Sequence, residues 1–76
     1  MSQITSVVPK DHYKLDVFLD NESSITLNLE SRLQTVRFGM LADKEFFGRA
    51  TTDGCCIRWD DKIEISLTEV FQLAQK

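Results

Sequence analysis

The stretch that most constrains this chain is Tyr13 to Leu29, YKLDVFLDNESSITLNL. Tyr13, Leu15, Val17 and Leu19 alternate with Lys14, Asp16, Phe18 and Asp20. After a polar break, Ile25, Leu27 and Leu29 alternate with Ser24, Thr26 and Asn28. A side-chain period of two residues places each apolar set on one face of a pleated ribbon, so the stretch reads as a β-hairpin. Its loop, Asp20-Asn21-Glu22-Ser23, has turn chemistry in Asp20 and Asn21, which tolerate left-handed backbone. A lone two-stranded ribbon is marginal in water. The rest of the chain must therefore cover the apolar face.

Length and composition set the scale of that cover. The chain has 76 residues, 42% of them apolar and 28% charged. That is room for one small α+β domain, residues 1–76, with a thin core. Domains of this size often gain stability by burying surface against a partner. Net charge is −3 and the nine Lys and Arg are scattered. Nucleic-acid binders concentrate positive charge, because phosphate contacts supply much of their affinity. No direct nucleic-acid binding is expected. The only cysteines, Cys55 and Cys56, are adjacent, which suits neither a disulfide framework nor an oxidising compartment. MSQITSVVPK lacks a signal-peptide apolar run, and nothing reaches bilayer-spanning length. A cytoplasmic protein without membrane contact is expected.

The flanking segments supply the cover. Ile4–Val8 reads as a short strand ended by Pro9, which makes a three-stranded meander with the hairpin. Glu30-Ser31-Arg32-Leu33 suits one helical turn, and Leu33, Val36, Phe38 and Leu41 read as anchors over the sheet. Asp43 is a candidate N-cap of a short helix, with Glu45 in its first turn and Gly48 closing it in left-handed conformation. Phe46 and Phe47 add packing area. Arg49–Asp53 and Cys55–Trp59 form a second hairpin around Asp53-Gly54, and Ile63–Ile65 a last strand. Ser66 and Glu69 have capping-box spacing. Leu67, Val70, Phe71 and Ala74 then give one apolar helical stripe.

The order VVPxxxYKLxVxLDN, FGMLADKEFF, TTDGCCIRWDDxIEI and a terminal helix resembles the bacterial family catalogued as domain of unknown function 2442. The matching positions are Val7 and Pro9, Tyr13, Leu19-Asp20-Asn21, Gly39 to Phe47, Asp53-Gly54 through Trp59, and Glu64-Ile65. Three positions depart from the family pattern. Glu22 stands where members usually carry the turn glycine, Asp60-Asp61-Lys62 replaces Pro-Asn-Gly, and Glu64 replaces Asp. The resemblance implies a small, mostly antiparallel α+β fold and no established activity. Some relatives resemble antitoxin partners encoded beside another small protein.

Each chemical constellation has a plainer competitor. His12 with the hydroxyl of Ser6 or Ser24 would make a nucleophile–base pair, but no oxyanion glycine cluster accompanies it, and a solvated turn histidine is the simpler reading. Cys55 and Cys56 with His12 would make a metal set, but neighbours on a strand point apart. One buried Cys and one partly exposed is expected instead. Asp60, Asp61 and Glu64 would offer carboxylates to a cation or to acid–base work, and a solvated turn is the simpler reading. Gly39, Gly48 and Gly54 are isolated, so there is no phosphate cradle. No catalytic residue, metal site or cofactor is expected. Phe18 is the residue that breaks pattern: an aromatic on the polar side of the central strand marks a contact surface.

The expected fold is α+β, with a mainly antiparallel sheet of four to six strands covered by the C-terminal helix and one short helix. Its core would comprise Tyr13, Leu15, Val17, Leu19, Ile25, Leu27, Leu29, Leu41, Phe46, Ile57, Trp59, Ile65, Val70 and Phe71. The expected function is a non-enzymatic protein-interaction module, binding another protein or itself through Phe18, with an antitoxin-like partnership as its concrete form. The alternative is a small-ligand or regulatory sensor with an apolar pocket near Trp59, Arg58 or Asp60.

Overall fold

A computed structural model describes residues 3–74. In chain order the elements are β1 (Ile4–Lys10), β2 (Lys14–Leu19), β3 (Ser24–Asn28), α1 (Lys44–Phe47), β4 (Ala50–Thr52), β5 (Cys56–Trp59), β6 (Ile63–Ser66) and α2 (Leu67–Ala74). Single 3-10 turns cover Glu30–Arg32 and Gly39–Ala42, and Asp11–Tyr13 form a tight corner with non-helical backbone at His12.

The fold is α+β and antiparallel, but its six strands form two three-stranded meanders, β1-β2-β3 and β4-β5-β6, rather than one sheet. Ile4 donates its N–H to the Gly54 carbonyl at 2.8 Å, joining β1 to the β4–β5 turn. One such bond is a contact, not a ladder. The inner faces nevertheless share one core, built from Leu15, Val17, Leu27 and Leu29 of the first meander and Ile57, Trp59, Ile63 and Ile65 of the second. No helix among the described residues is long and apolar enough to cross a membrane.

The central hairpin has the expected register, with Leu15 opposite Leu27 and Val17 opposite Ile25. Its loop closes with the Glu22 N–H on the Leu19 carbonyl and the Leu19 N–H on the Ser23 carbonyl. The left-handed residue is Glu22 (φ 69°), not Asp20 or Asn21. This is the three-residue hairpin loop in which a turn is followed by one left-handed position, where glycine is favoured. Glu22→Gly is expected to raise stability by about 0.5–1 kcal/mol, since relief of the positive φ outweighs the added freedom of the unfolded chain. Urea unfolding checks the sign.

Several expectations need correction. Pro9 does not end β1, which continues to Lys10 on the edge of its sheet, where a missing N–H is tolerated. Strict alternation would send Ile4 outward with Ser6 and Val8. The register shifts between Ile4 and Ser6, and this bulge turns Ile4 into the core. Val36 is fully exposed, while Phe38 and Leu41 beside it are buried. Asp43 caps α1 by accepting the Glu45 N–H at 3.0 Å, but Gly48 is right-handed. On α2, Val70 is buried and Leu67 and Leu73 pack against the core, while Phe71 is exposed. Tyr13 and Ile25 are partly buried, and Phe47 and Ile63 join the core.

Half of the Ser66–Glu69 capping box forms. The Ser66 hydroxyl accepts the Glu69 N–H at 3.2 Å. The Glu69 carboxylate turns to Arg37, whose guanidinium makes a two-pronged contact with it and also donates to the Glu64 carbonyl at 2.7 Å. Arg37 thus ties the long β3–α1 connection to β6 and to the first turn of α2. It also lies over the Phe38 ring, 5.0 Å from its centroid.

Arg37 holds the Glu69 carboxyl below its ordinary value, chiefly through the direct hydrogen bond. Asp53 is also lowered, first by the N–H of Cys55 and then by that of Cys56. A carboxyl lowered on folding adds stability that is complete above its unfolded pKa and is lost as pH falls through the folded value. Stability should therefore drop below about pH 4.3, the ordinary glutamate value. Glu69→Gln should be less stable than the parent at pH 7 and show a shallower acid slope. Parallel slopes from thermal melts between pH 6 and pH 3 would contradict this assignment.

Candidate functional site

The first meander presents an outer face built from alternate residues. Across it, Phe18 lies between Ser6 and Ser24, Asp16 between Val8 and Thr26, and Lys14 between Lys10 and Asn28. Asp16 accepts the Thr26 hydroxyl at 2.8 Å and lies 3.9 Å from the Lys10 ammonium. Apolar material on this face comes from Phe18, 37% exposed, and Val8, 38% exposed. The two are diagonal neighbours across β1 and β2, a separation that an aromatic ring can span. They form a small apolar island beside the hydroxyls of Ser6 and Ser24 and the Asp16 carboxylate. Phe18 therefore sits where the strand pattern places it. Val8 was not singled out by sequence, because its neighbour Val7 carries the same character and faces inward.

The second meander presents a charged outer face. Arg58 stands opposite Thr51 and Glu64. It pairs with Asp53 at 3.0 Å and Glu64 at 3.2 Å. Asp60, with left-handed backbone (φ 54°), pairs with Arg49 at 3.3 Å. Two of the three carboxylates considered for acid–base work are thus already faced by guanidinium groups. A groove of about 420 Å³ runs past Arg58, Asp60, Asp61, Lys62, Ile63 and Glu64, with Ile63 its one apolar residue. Trp59 is fully buried, and its indole N–H donates to the Phe47 carbonyl at 3.0 Å. Among the described residues, the groove beside Arg58 and Asp60 is thus lined mainly by charged side chains, unlike the apolar pocket expected there.

The other constellations are dispersed. His12 lies at the Lys10–Lys14 end of the first sheet, whereas Ser6 and Ser24 flank Phe18 at the other end. Lys14 and Phe18 are four strand positions apart, roughly 13 Å. Cys55 is exposed and Cys56 half-buried, correcting the expectation of one buried cysteine. Cys55 falls in the β4–β5 turn, where its N–H serves Asp53. The Cys56 thiol is held above its ordinary pKa, first by its hydrogen bond to Glu64 and then by desolvation. That favours the thiol over the nucleophilic thiolate. Among the described residues, no three His, Cys, Asp or Glu side chains gather closely enough to hold a metal ion.

No protein-family model matches this chain, and no curated protein or solved structure does either. The surfaces themselves therefore carry what can be said of function. A second concave surface, absent from the sequence reading, lies where β1 turns into β2. It is a cleft of about 550 Å³ between the Pro9–Tyr13 corner, Glu30 and Lys44, Phe47 and Gly48 at α1. Its residues come from three separate segments, so no local motif announces it.

Proposed function

We propose that this chain is a non-enzymatic protein-interaction module that engages a partner protein through the outer face of its first sheet. The observation that carries the reading is the Val8–Phe18 island on a face otherwise made of Ser6, Ser24, Thr26, Asn28 and charged side chains. An exposed aromatic beside polar neighbours, which a partner would bury on docking, suits an interaction hot spot. The arginine pairings of Arg37, Arg49 and Arg58 support the same reading, since they leave those cations neutralised rather than massed for phosphate. A cytoplasmic setting belongs to this proposal.

The concrete form is an antitoxin-like partnership with a companion encoded beside it, as the resemblance to the domain of unknown function 2442 family implies. Glu22 supports that resemblance, because its left-handed backbone sits where the family usually has glycine. The Asp60 loop marks a divergence. A proline there cannot adopt φ 54°, so this loop must differ in shape from a Pro-Asn-Gly turn.

The test is capture of the neighbouring gene's product by the parent chain and by Phe18→Asp, with solution mass measured alongside. The parent should capture the companion. Phe18→Asp should weaken capture by roughly 30-fold or more, equivalent to a hot-spot loss of about 2 kcal/mol. A parent chain that stays monomeric and captures nothing would refute the proposal.

A further inference from the structure

We propose that the cleft at the β1–β2 corner binds a small zwitterionic molecule with an apolar body, of amino-acid or dipeptide size. This site shares Lys10 with the outer face of the first sheet but does not include Phe18. Its volume of about 550 Å³ falls within the range of small-molecule sites, about 300–1,000 Å³. Its apolar lining is Pro9, Tyr13 and Phe47. The Tyr13 hydroxyl is already committed to the Ala42 carbonyl at 2.6 Å, so Tyr13 offers its ring rather than its polar tip. Tyr13 and Phe47 meet edge to face, with centroids 5.5 Å apart.

The polar lining carries both signs. Lys10 and Lys44 are cationic, Asp11 and Glu30 anionic. Among the described residues, Asp11, Glu30 and Lys44 make no ion pair, whereas Arg37, Arg49 and Arg58 each face a carboxylate. A purely anionic ligand would be opposed by Asp11 and Glu30, and a purely cationic one by Lys44, the Lys10 ammonium being faced by Asp16. A molecule with one group of each sign satisfies both. The corner is also backbone-strained, with His12 (φ 64°) and Tyr13 (φ 61°) successively left-handed. Strain of this kind persists where surrounding contacts over-determine it, and it clusters at ligand sites.

The experiment titrates the ¹⁵N-labelled chain with L-phenylalanine and glycyl-L-phenylalanine. N-acetyl-L-phenylalaninamide, which lacks both charges, is the control. At least one zwitterion should move the amides of Asp11 to Tyr13 and Gly48 with Kd of about 1 mM or tighter. The neutral analogue should bind at least about tenfold more weakly, as should the zwitterion to Lys44→Ala or Glu30→Gln, each tenfold step being about 1.4 kcal/mol. Phe18→Asp should leave these shifts in place, which separates this site from the partner surface. No shift at millimolar concentrations of either zwitterion would overturn the proposal. So would a neutral analogue that binds equally well.

Discussion

Trp59→Ala is expected to destabilise the fold by about 3–5 kcal/mol, the range for removing a large buried aromatic. Trp59 is fully buried and its ring stacks on Phe47, with centroids 6.2 Å apart. Phe47 in turn meets Tyr13, so the three rings run from the second sheet to the first. The substitution also leaves the buried Phe47 carbonyl without its indole donor. A chain of 76 residues commands a total stability of roughly 4–11 kcal/mol. The variant should therefore lose a large share of that stability, and unfold in part without denaturant if the parent lies at the low end of the range. Trp59→Phe retains packing and loses the hydrogen bond, at an expected cost of about 1–3 kcal/mol. Urea unfolding followed by circular dichroism measures both. A loss below about 1 kcal/mol for the alanine variant would mean that the ring stack does not join the two meanders.

The second large effect concerns Tyr13, whose ring and hydroxyl hold the α1 region against the first sheet from a left-handed backbone position. Tyr13→Ala should cost about 2–3 kcal/mol, less than a fully buried aromatic because the ring is only partly buried. Tyr13→Phe should cost about 0.5–1.5 kcal/mol for the lost hydrogen bond. Tyr13→Gly should then be more stable than Tyr13→Ala by about 1 kcal/mol, because glycine pays no penalty at positive φ. At an ordinary strand position glycine would instead be less stable than alanine by roughly 0.5–1 kcal/mol. A Gly variant weaker than the Ala variant would show that the φ of 61° carries no strain.

Much of this architecture was legible because it is local. The hairpin's alternation placed Leu15, Val17, Leu19, Leu27 and Leu29 in the core and Phe18 outside it. The Asp43 cap and the Ser66 cap were readable from side-chain chemistry within three residues. What failed depended on distance. The inward turn of Ile4 rests on a bulge that only pairing with β2 defines. Glu69 left its capping box for Arg37, a residue 32 positions away. Phe71 follows the helical period but lies outside the arc formed by Leu67, Val70 and Leu73, because neighbouring elements decide which stripe is covered. One sheet of four to six strands was expected, and the division of the six strands into two meanders was not legible, since a single bond at Gly54 replaces a ladder.

The same division holds for function. Phe18 was visible because one aromatic broke a polar alternation. Its neighbour Val8 became part of the surface only when β1 was laid beside β2 in register. The cleft assembled from Pro9–Tyr13, Glu30 and Lys44–Gly48 had no sequence signal at all.

The outer face of the first sheet is the centre of the functional account, and Phe18 tests it most directly. The decisive measurement is the affinity of the neighbouring gene's product for the parent chain, Phe18→Asp and Phe71→Ser, each first shown by circular dichroism to be folded. Phe71 is exposed on α2, outside the proposed surface, and serves as the control. Phe18→Asp should lose roughly 30-fold or more in affinity, while Phe71→Ser should bind like the parent. Equal binding by the parent and folded Phe18→Asp, or a loss seen only in Phe71→Ser, would contradict it.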